Sequence, residues 1–209
     1  MKKLKIAVLA SGRGSNFKAV LDNIKQGKLD AEICAVISNK KSAGALEIAR
    51  ENQIPAFFIS AKQLPEQSDF DNRVMEVLIE TESNFVILAG YLKMIGIEIV
   101  RKYKNRILNI HPALLPSFGG KGMYGQYVHE AVLNYGCRVS GVTVHLVDEE
   151  YDTGLPVIQR CVPVMDDDTP ETLAARVLKE EHKVFTEALS YFAENRIEIN
   201  GRKLKIKTG

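Results

Sequence analysis

Leu4-Lys5-Ile6-Ala7-Val8-Leu9-Ala10-Ser11-Gly12-Arg13-Gly14-Ser15-Asn16 opens the chain with a largely apolar run that gives way to a polar turn containing two glycines. Leu4 to Ala10 suits a strand covered on both faces, as strands of a parallel sheet are. From Asn16 onward, Phe17, Val20, Leu21 and Ile24 recur at helical spacing, which predicts strand, glycine turn, helix. That order begins a parallel α/β sheet.

The same alternation continues. Apolar runs at 33–37, 56–59, 85–88 and 107–110 are separated by helical patterns near 43–52, 69–81 and 93–102. Right-handed crossovers between such strands would set their carboxyl ends along one edge, where open α/β sheets bind ligands. Ser11, Gly90 and His111 are therefore expected at that edge. The second half changes character. A loop rich in Gly and Pro at 116–125 leads to a helix near 126–135, and longer apolar runs at 139–147 and 157–164 flank an acidic turn. These two runs are expected to pair antiparallel, making the sheet mixed. Thr169-Pro170-Glu171 supplies a cap, a first-turn proline and an acid for a long helix through about Phe192. Alternation over 197–207 around Asn200-Gly201 signals a small hairpin. The predicted fold is a Rossmann-like, open, mostly parallel sheet with helices on both faces and added antiparallel strands.

The 209 residues, 45% hydrophobic, fit one domain. Its expected halves run over 1–110 and 111–209, the second ending in the small hairpin. A net charge of +2 from 28 basic and 26 acidic residues that are well mixed sets up no broad field for nucleic acid or anionic membrane. No apolar run approaches the ~20 residues that cross a bilayer. Met1-Lys2-Lys3 precedes too short a run for a signal peptide, so a cytoplasmic protein is expected. Cys34, Cys137 and Cys161 are few, odd in number and far apart, which fits packed thiols better than disulfides or zinc.

Three stretches carry candidate chemistry. Gly14, Ser15 and Asn16 lie between the first strand and first helix, where unpaired amides and the positive helix end favour an anion such as phosphate. This is not the dinucleotide fingerprint, since Phe17 stands in place of the third glycine and Ser38-Asn39-Lys40 ends the second strand without a ribose-binding acid. The plainer reading, that two glycines merely permit a tight turn, stays open. In Leu108-Asn109-Ile110-His111-Pro112-Ala113-Leu114-Leu115-Pro116, Pro112 ends strand pairing. Asn109 and His111, two apart, leave the strand on one face. They present an amide beside an imidazole, although a turn cap and a packed histidine would look the same. Asp148-Glu149-Glu150-Tyr151-Asp152-Thr153-Gly154 holds four acids in five positions. Such runs are commonly solvated turns, but Thr153-Gly154 could turn Asp152 inward, where a carboxylate would raise and orient a histidine. His129, His145 and His182 read as structural residues. No pair of histidines has metal-ligand spacing, and no metal is expected.

Taken together, Ser11 to Asn16, Leu88-Ala89-Gly90-Tyr91, Asn109 to Pro116 and Asp152-Thr153-Gly154 resemble, in this order, the folate-dependent phosphoribosylglycinamide formyltransferases. The resemblance runs over nearly the whole chain. It implies transfer of a formyl group from 10-formyltetrahydrofolate, as co-substrate, to the amine of glycinamide ribonucleotide in purine biosynthesis. It assigns phosphate binding to Gly14, Ser15 and Asn16, and the ribose hydroxyls to Glu181. The pterin pocket falls to Leu92, Lys93, Met94 and Ile95 with Asp148, Glu149, Glu150 and Tyr151. Asn109 and a protonated His111 become donors to the tetrahedral oxyanion, and Asp152 keeps His111 charged and relays a proton. The partners implied are small molecules, with neither nucleic acid nor membrane, and the protein would be a monomer or weak homodimer.

The chain departs from the family pattern in three places. Gly154-Leu155-Pro156 replaces Gly-Pro after the aspartate. Phe118 to Gly125 is a longer glycine-rich loop, expected to act as a lid. Leu178 stands where some relatives carry a polar residue. Three rivals remain at this point: a sister formyltransferase acting on methionyl-tRNA or a sugar amine, a nucleotide-sensing module without catalysis, and a hydrolase of formylfolate. The tRNA enzyme resembles the chain less, because it carries an extra carboxyl-terminal domain and a different first turn.

Overall fold

The computed structural model describes residues 3–208; Met1, Lys2 and Gly209, at the ends of the expected domain, lie outside the described residues. The chain forms β1 (Leu4–Leu9), α1 (Ser15–Lys25), β2 (Ala31–Ser38), α2 (Gly44–Glu51), β3 (Ala56–Phe58), α3 (Gln67–Glu80), β4 (Phe85–Leu88), α4 (Ile97–Lys102), β5 (Ile107–His111), α5 (Gln126–Asn134), β6 (Val139–Leu146), β7 (Pro156–Pro163), α6 (Pro170–Ala193), β8 (Ile197–Asn200) and β9 (Lys203–Ile206). Strand order is β3-β2-β1-β4-β5-β6-β7, with β8 and β9 as a separate pair. The fold is thus a mostly parallel sheet with helices and a small antiparallel addition. Two compact units divide the chain, Met1–Leu108 and Asn109–Gly209.

In the first unit, β1 pairs in parallel with β2 and with β4, and β2 with β3. The central strands are apolar but for Lys5 near the start of β1, because they are covered on both faces: Ile6, Ala7, Val8, Val86 and Ile87 have no exposed surface. Helix α1 lays Phe17, Val20 and Leu21 into this core, as their spacing predicts. Gly14 starts the helix in the left-handed region, at φ 83°. A Cβ there would stand 2.8 Å from the Ala45 backbone.

The helix expected over 93–102 begins only at Ile97. Two backbone ties explain the delay. The Ser11 N–H donates to the Gly90 carbonyl at 3.0 Å, and the Leu92 N–H donates to the Ser11 hydroxyl at 2.9 Å. Both draw the segment after β4 onto the glycine turn. Gly96 is then extended, and a Cβ on it would strike the Asp71 side chain at 2.4 Å.

In the second unit, β6 and β7 pair antiparallel as expected, with register Val139↔Pro163 through His145↔Pro156. Gly141 lets the pair close, since a Cβ would lie 2.2 Å from the Arg160 carbonyl. The 24-residue α6 is capped by Thr169. The reciprocal partner is the Thr172 hydroxyl, which accepts from the Thr169 N–H at 2.9 Å, in the place usually taken by an acid. Its apolar face, with Leu173, Val177, Val184, Phe185, Ala188 and Leu189, is fully buried. Among the described residues, no helix is long and apolar enough to cross a membrane.

Gly14→Ala combines a left-handed backbone with a contact that cannot open without moving α2. We expect a loss of about 1–3 kcal/mol in unfolding free energy, checked as a lower urea midpoint at unchanged slope.

Candidate active site

The second unit assembles a buried polar centre from three separate stretches. β5 ends by presenting Asn109, half-buried, and His111, 3% exposed. β6 ends by presenting His145, 2% exposed. The turn after it returns Asp152 to the same place. Asp152 has φ 56° and Phe118 φ 54°, left-handed conformations that cost a non-glycine residue on the order of 1 kcal/mol. Two glycines make room for the return. A Cβ on Gly154 would lie 1.7 Å from the Leu146 carbonyl, and one on Gly119 would meet Leu115 at 2.6 Å and Asp152 Cβ at 3.2 Å.

Backbone carbonyls decide where the protons sit. His145 Nδ1 lies 2.8 Å from the Leu146 carbonyl, and a carbonyl only accepts, so Nδ1 carries the hydrogen. His145 Nε2 is then an acceptor, and Asn109 Nδ2 donates to it at 3.0 Å. The other amide hydrogen of Asn109 faces Asp152 Oδ1 at a long 3.5 Å. Asp152 Oδ2 accepts from the Gly120 N–H at 2.9 Å. His111 Nε2 donates to the Phe118 carbonyl at 2.8 Å, which leaves Nδ1 facing Asp152 Oδ2 at 3.7 Å. Asn109, His111 and Asp152 thus form one cluster with His145.

A second layer fixes the stretch after His111. The Thr143 hydroxyl donates to the Ala113 carbonyl at 2.7 Å and accepts from the Leu115 N–H at 3.0 Å. Gln159 Nε2 donates to the Leu115 carbonyl at 2.8 Å. This clamp, buried at Thr143 and part-buried at Gln159, ties β6 and β7 to the Pro112–Pro116 turn.

Charge states differ from the sequence-based expectation at one point. Burial pushes the His111 imidazole below its ordinary value, outweighing the upward pull of Asp152 and the Phe118 carbonyl. His111 is therefore neutral at rest near neutral pH, where a protonated ring was expected. Burial would raise the Asp152 carboxyl, but the nearby His145 ring, the Gly120 N–H and His111 bring it below its ordinary value. It is a carboxylate. His129, on the buried side of α5, is lowered by burial and then by His111.

The remaining candidates fall elsewhere. In the first unit, Gly14, Ser15 and Asn16 begin α1, and the N-cap residue, Gly14, has no side chain with which to cap it. The Ser11 hydroxyl fixes the turn by donating to Asn39 Oδ1 at 2.6 Å. Leu92 and Met94 expose apolar surface, Ile95 is buried, and Lys93 is drawn onto α3, its ammonium 2.6 Å from Gln67 Oε1 and 4.3 Å from the centre of the Phe70 ring. In the second unit, Asp148 accepts from the Glu149 N–H at 2.8 Å, Glu150 accepts through its carbonyl from the Thr153 hydroxyl at 3.3 Å, and Tyr151 is exposed. Glu181 is buried on α6. Among the described residues, no group of three or more His, Cys, Asp or Glu is arranged to hold a metal. The three cysteines are free, and burial raises the Cys34 thiol to about 11, far from nucleophilic readiness.

Sequence reasoning missed His145, and with it the Phe118 carbonyl and the Gly120 N–H. A usable signal was present: Thr143 and His145 are polar residues two apart on an otherwise apolar strand, so they share a face.

Comparison with known proteins agrees with this picture. The formyl transferase family signature matches residues 4–189. The chloroplastic phosphoribosylglycinamide formyltransferase of Arabidopsis thaliana is 47% identical over 198 residues, covering 94% of this chain and 68% of that protein. The trifunctional purine biosynthetic protein adenosine-3 of Bos taurus is 41% identical over 203 residues; the match covers 96% of this chain and 20% of that protein, so the chain spans about a fifth of its length. The crystal structure of glycinamide ribonucleotide transformylase 1 from Symbiobacterium toebii superposes with a TM-score of 0.92 at 37% identity, covering 98% of this chain and 94% of that one.

Histidines held neutral by burial make stability pH-dependent. With the folded values of His111, His129 and His182 lowered, the unfolded chain binds more protons between those values and about 6.5. The associated stability is complete above that upper limit and is lost as pH falls through the folded values. We expect a lower urea midpoint at about pH 5.5 than at about pH 7.5, and a smaller difference in His129→Gln.

Proposed function

The chain belongs to the formyl transferase family, in its phosphoribosylglycinamide formyltransferase branch, and we propose that it transfers the formyl group of 10-formyltetrahydrofolate to the amine of glycinamide ribonucleotide. The products are formylglycinamide ribonucleotide and tetrahydrofolate. The observation that carries the reading is the linked cluster of half-buried Asn109 and Asp152 with buried His111, joined by backbone donors and acceptors, within a chain of that family.

In this reading the substrate amine attacks the formyl carbon. A carbon–nitrogen bond forms, and the carbonyl oxygen becomes an oxyanion. Asn109 is the donor to it: one amide hydrogen is occupied by His145 at 3.0 Å, while the other, 3.5 Å from Asp152, is loosely held and transfers its hydrogen bond to the developing charge. The attacking nitrogen must lose a proton, and N10 of the folate must gain one as its bond to carbon breaks. His111, neutral at rest, takes that proton on Nδ1 and passes it to N10. Asp152, 3.7 Å from Nδ1, stabilises the imidazolium in between. This replaces the idea of a ring that is charged from the outset, since a neutral ring alone has an open site for the proton.

For binding, we assign the ribonucleotide phosphate to the start of α1 at Gly14, Ser15 and Asn16, because helix-start amides without a side-chain cap suit an anion. Glu181 takes the ribose hydroxyls. The exposed apolar surface of Leu92 and Met94, with Ile95 beneath, and the loop Asp148, Glu149, Glu150 and Tyr151 take the folate; Lys93 joins them only by leaving Gln67. The balanced charge supports small-molecule substrates without nucleic acid or membrane, and the reading carries a cytoplasmic monomer or weak homodimer.

The protein mixed with glycinamide ribonucleotide and 10-formyltetrahydrofolate should release tetrahydrofolate only when the ribonucleotide is present, with formylated ribonucleotide as product. Release independent of ribonucleotide would favour hydrolysis; no release would favour a sensor. Asn109→Ala, His111→Ala and Asp152→Asn should each lower kcat by about 10²–10³ while remaining folded, and double variants should lose far less than the product of the singles. Near-normal turnover by His111→Ala would remove the proton carrier from the scheme.

A further inference from the structure

We propose that Arg202 is a positioning residue for the transfer reaction, holding from the turn of the C-terminal hairpin the backbone that carries Asp152. The proposal rests on the reading of Asp152 given above. Arg202 Nη2 donates to the Thr153 carbonyl at 3.1 Å, across 49 residues. That carbonyl belongs to the residue immediately after Asp152.

Asp152 needs such help. Its backbone is left-handed at φ 56°, so the turn sits in a conformation that it would leave if released. Around it, Asp148, Glu149 and Glu150 place three further negative charges within four residues, and their mutual repulsion favours spreading of the turn. The Thr153 hydroxyl reaches back to the Glu150 carbonyl at 3.3 Å, a long contact that holds the turn weakly. The guanidinium supplies both a donor and a positive charge against this acidic run.

The hairpin can act as a fixed arm because its base is anchored. The Arg196 N–H donates to the Tyr191 carbonyl at 2.8 Å, near the end of α6, and the Lys207 N–H donates to the Arg196 carbonyl at 2.8 Å. Arg196 Nε donates to the Lys207 carbonyl at 2.7 Å, and its guanidinium lies 5.0 Å from the centre of the Tyr191 ring. Four paired positions, Ile197↔Ile206 to Asn200↔Lys203, carry this anchorage to the tip. Gly201, at φ 58°, closes the two-residue turn that presents Arg202. The strands themselves are short and largely exposed, so the pair contributes little core. From its turn it makes a long-range polar reach to the residue after Asp152.

The test compares the parent with Arg202→Ala and Arg202→Lys, measuring kcat, both KM values and hydrogen exchange of the Gly120 amide, which donates to Asp152 Oδ2. Arg202→Ala should lower kcat about three- to tenfold, the range one hydrogen bond spans, leave KM for the ribonucleotide unchanged and speed exchange at Gly120. Arg202→Lys, which keeps a charged donor, should recover part of both effects. In an Asp152→Asn background, Arg202→Ala should cost no further activity. Parental kcat and exchange in Arg202→Ala overturn the proposal, as does a loss that persists in full without the Asp152 carboxylate. Full activity in Asp152→Asn alone would instead remove the role of Asp152 itself, a failure distinct from an inert Arg202 beside an essential aspartate.

Discussion

A carboxylate withdrawn from water must find donors, and in this protein the position of Asp152 makes that demand of three chain segments at once. The Gly120 N–H satisfies one oxygen at 2.9 Å, while the amide of Asn109 and the ring of His145 face the other at 3.5 Å. The two donors come from the glycine-rich loop and the end of β5, and the His145 ring comes from the end of β6. Bringing them together excludes a side chain at Gly119 and Gly154 and holds Asp152 and Phe118 in left-handed backbone. Local strain of this kind persists only where surrounding contacts over-determine it. The Thr143 and Gln159 clamp supplies such contacts, through buried hydrogen bonds from Thr143 and a part-buried one from Gln159 to the turn after His111.

Two histidines of identical chemistry then acquire different duties from the carbonyls beside them. The Leu146 carbonyl takes the hydrogen of His145 Nδ1, so that ring offers a lone pair inward and orients Asn109. The Phe118 carbonyl takes the hydrogen of His111 Nε2, so that ring offers a lone pair toward Asp152. A lone pair facing a carboxylate is electrostatically unfavourable, and gaining a proton there relieves it. Burial opposes that gain. The balance of the two leaves His111 uncharged but with a ring nitrogen open to a proton, as the proposed carrier between two nitrogens must be.

Much of this was legible in the sequence because its signals are local. The run Leu4 to Ala10 with Phe17, Val20 and Leu21 marked β1 and α1, and Thr169-Pro170 marked the start of α6. Asn109, His111 and Asp152 were legible through their flanking prolines and glycines and through family resemblance. What was not legible depends on contacts distant in sequence. Lys93 to Gly96 follow a helical pattern, yet Ser11, 81 residues before Leu92, ties the backbone elsewhere. His145 looked like a strand residue, and it is one. Only the return of Asp152 and the nearness of Asn109 make it part of the site. The charge on His111 depends on burial, which no single motif records.

A second carboxylate in the same unit, its side chain 2% exposed, shows what distinguishes the proposed chemical role. Asp168 meets Arg176 through two hydrogen bonds at 2.6 and 2.7 Å, and also accepts from the Met165 N–H at 2.8 Å and the Thr172 hydroxyl at 2.7 Å. Arg176 in particular holds it well below the usual carboxylate range. Every lone-pair direction is taken, and the permanent guanidinium charge cancels its own. Such a group fixes the entry to α6 and can do little else. Asp152 has no arginine on its carboxylate. Its short contact is a neutral amide, and its other neighbours stand at 3.5 to 3.7 Å. The negative charge is therefore held in place without being cancelled, and remains available to a histidine that becomes positive. The residue type and the withdrawal from solvent are shared; the absence of a permanent cation on the carboxylate separates the proposed chemical site from the structural one.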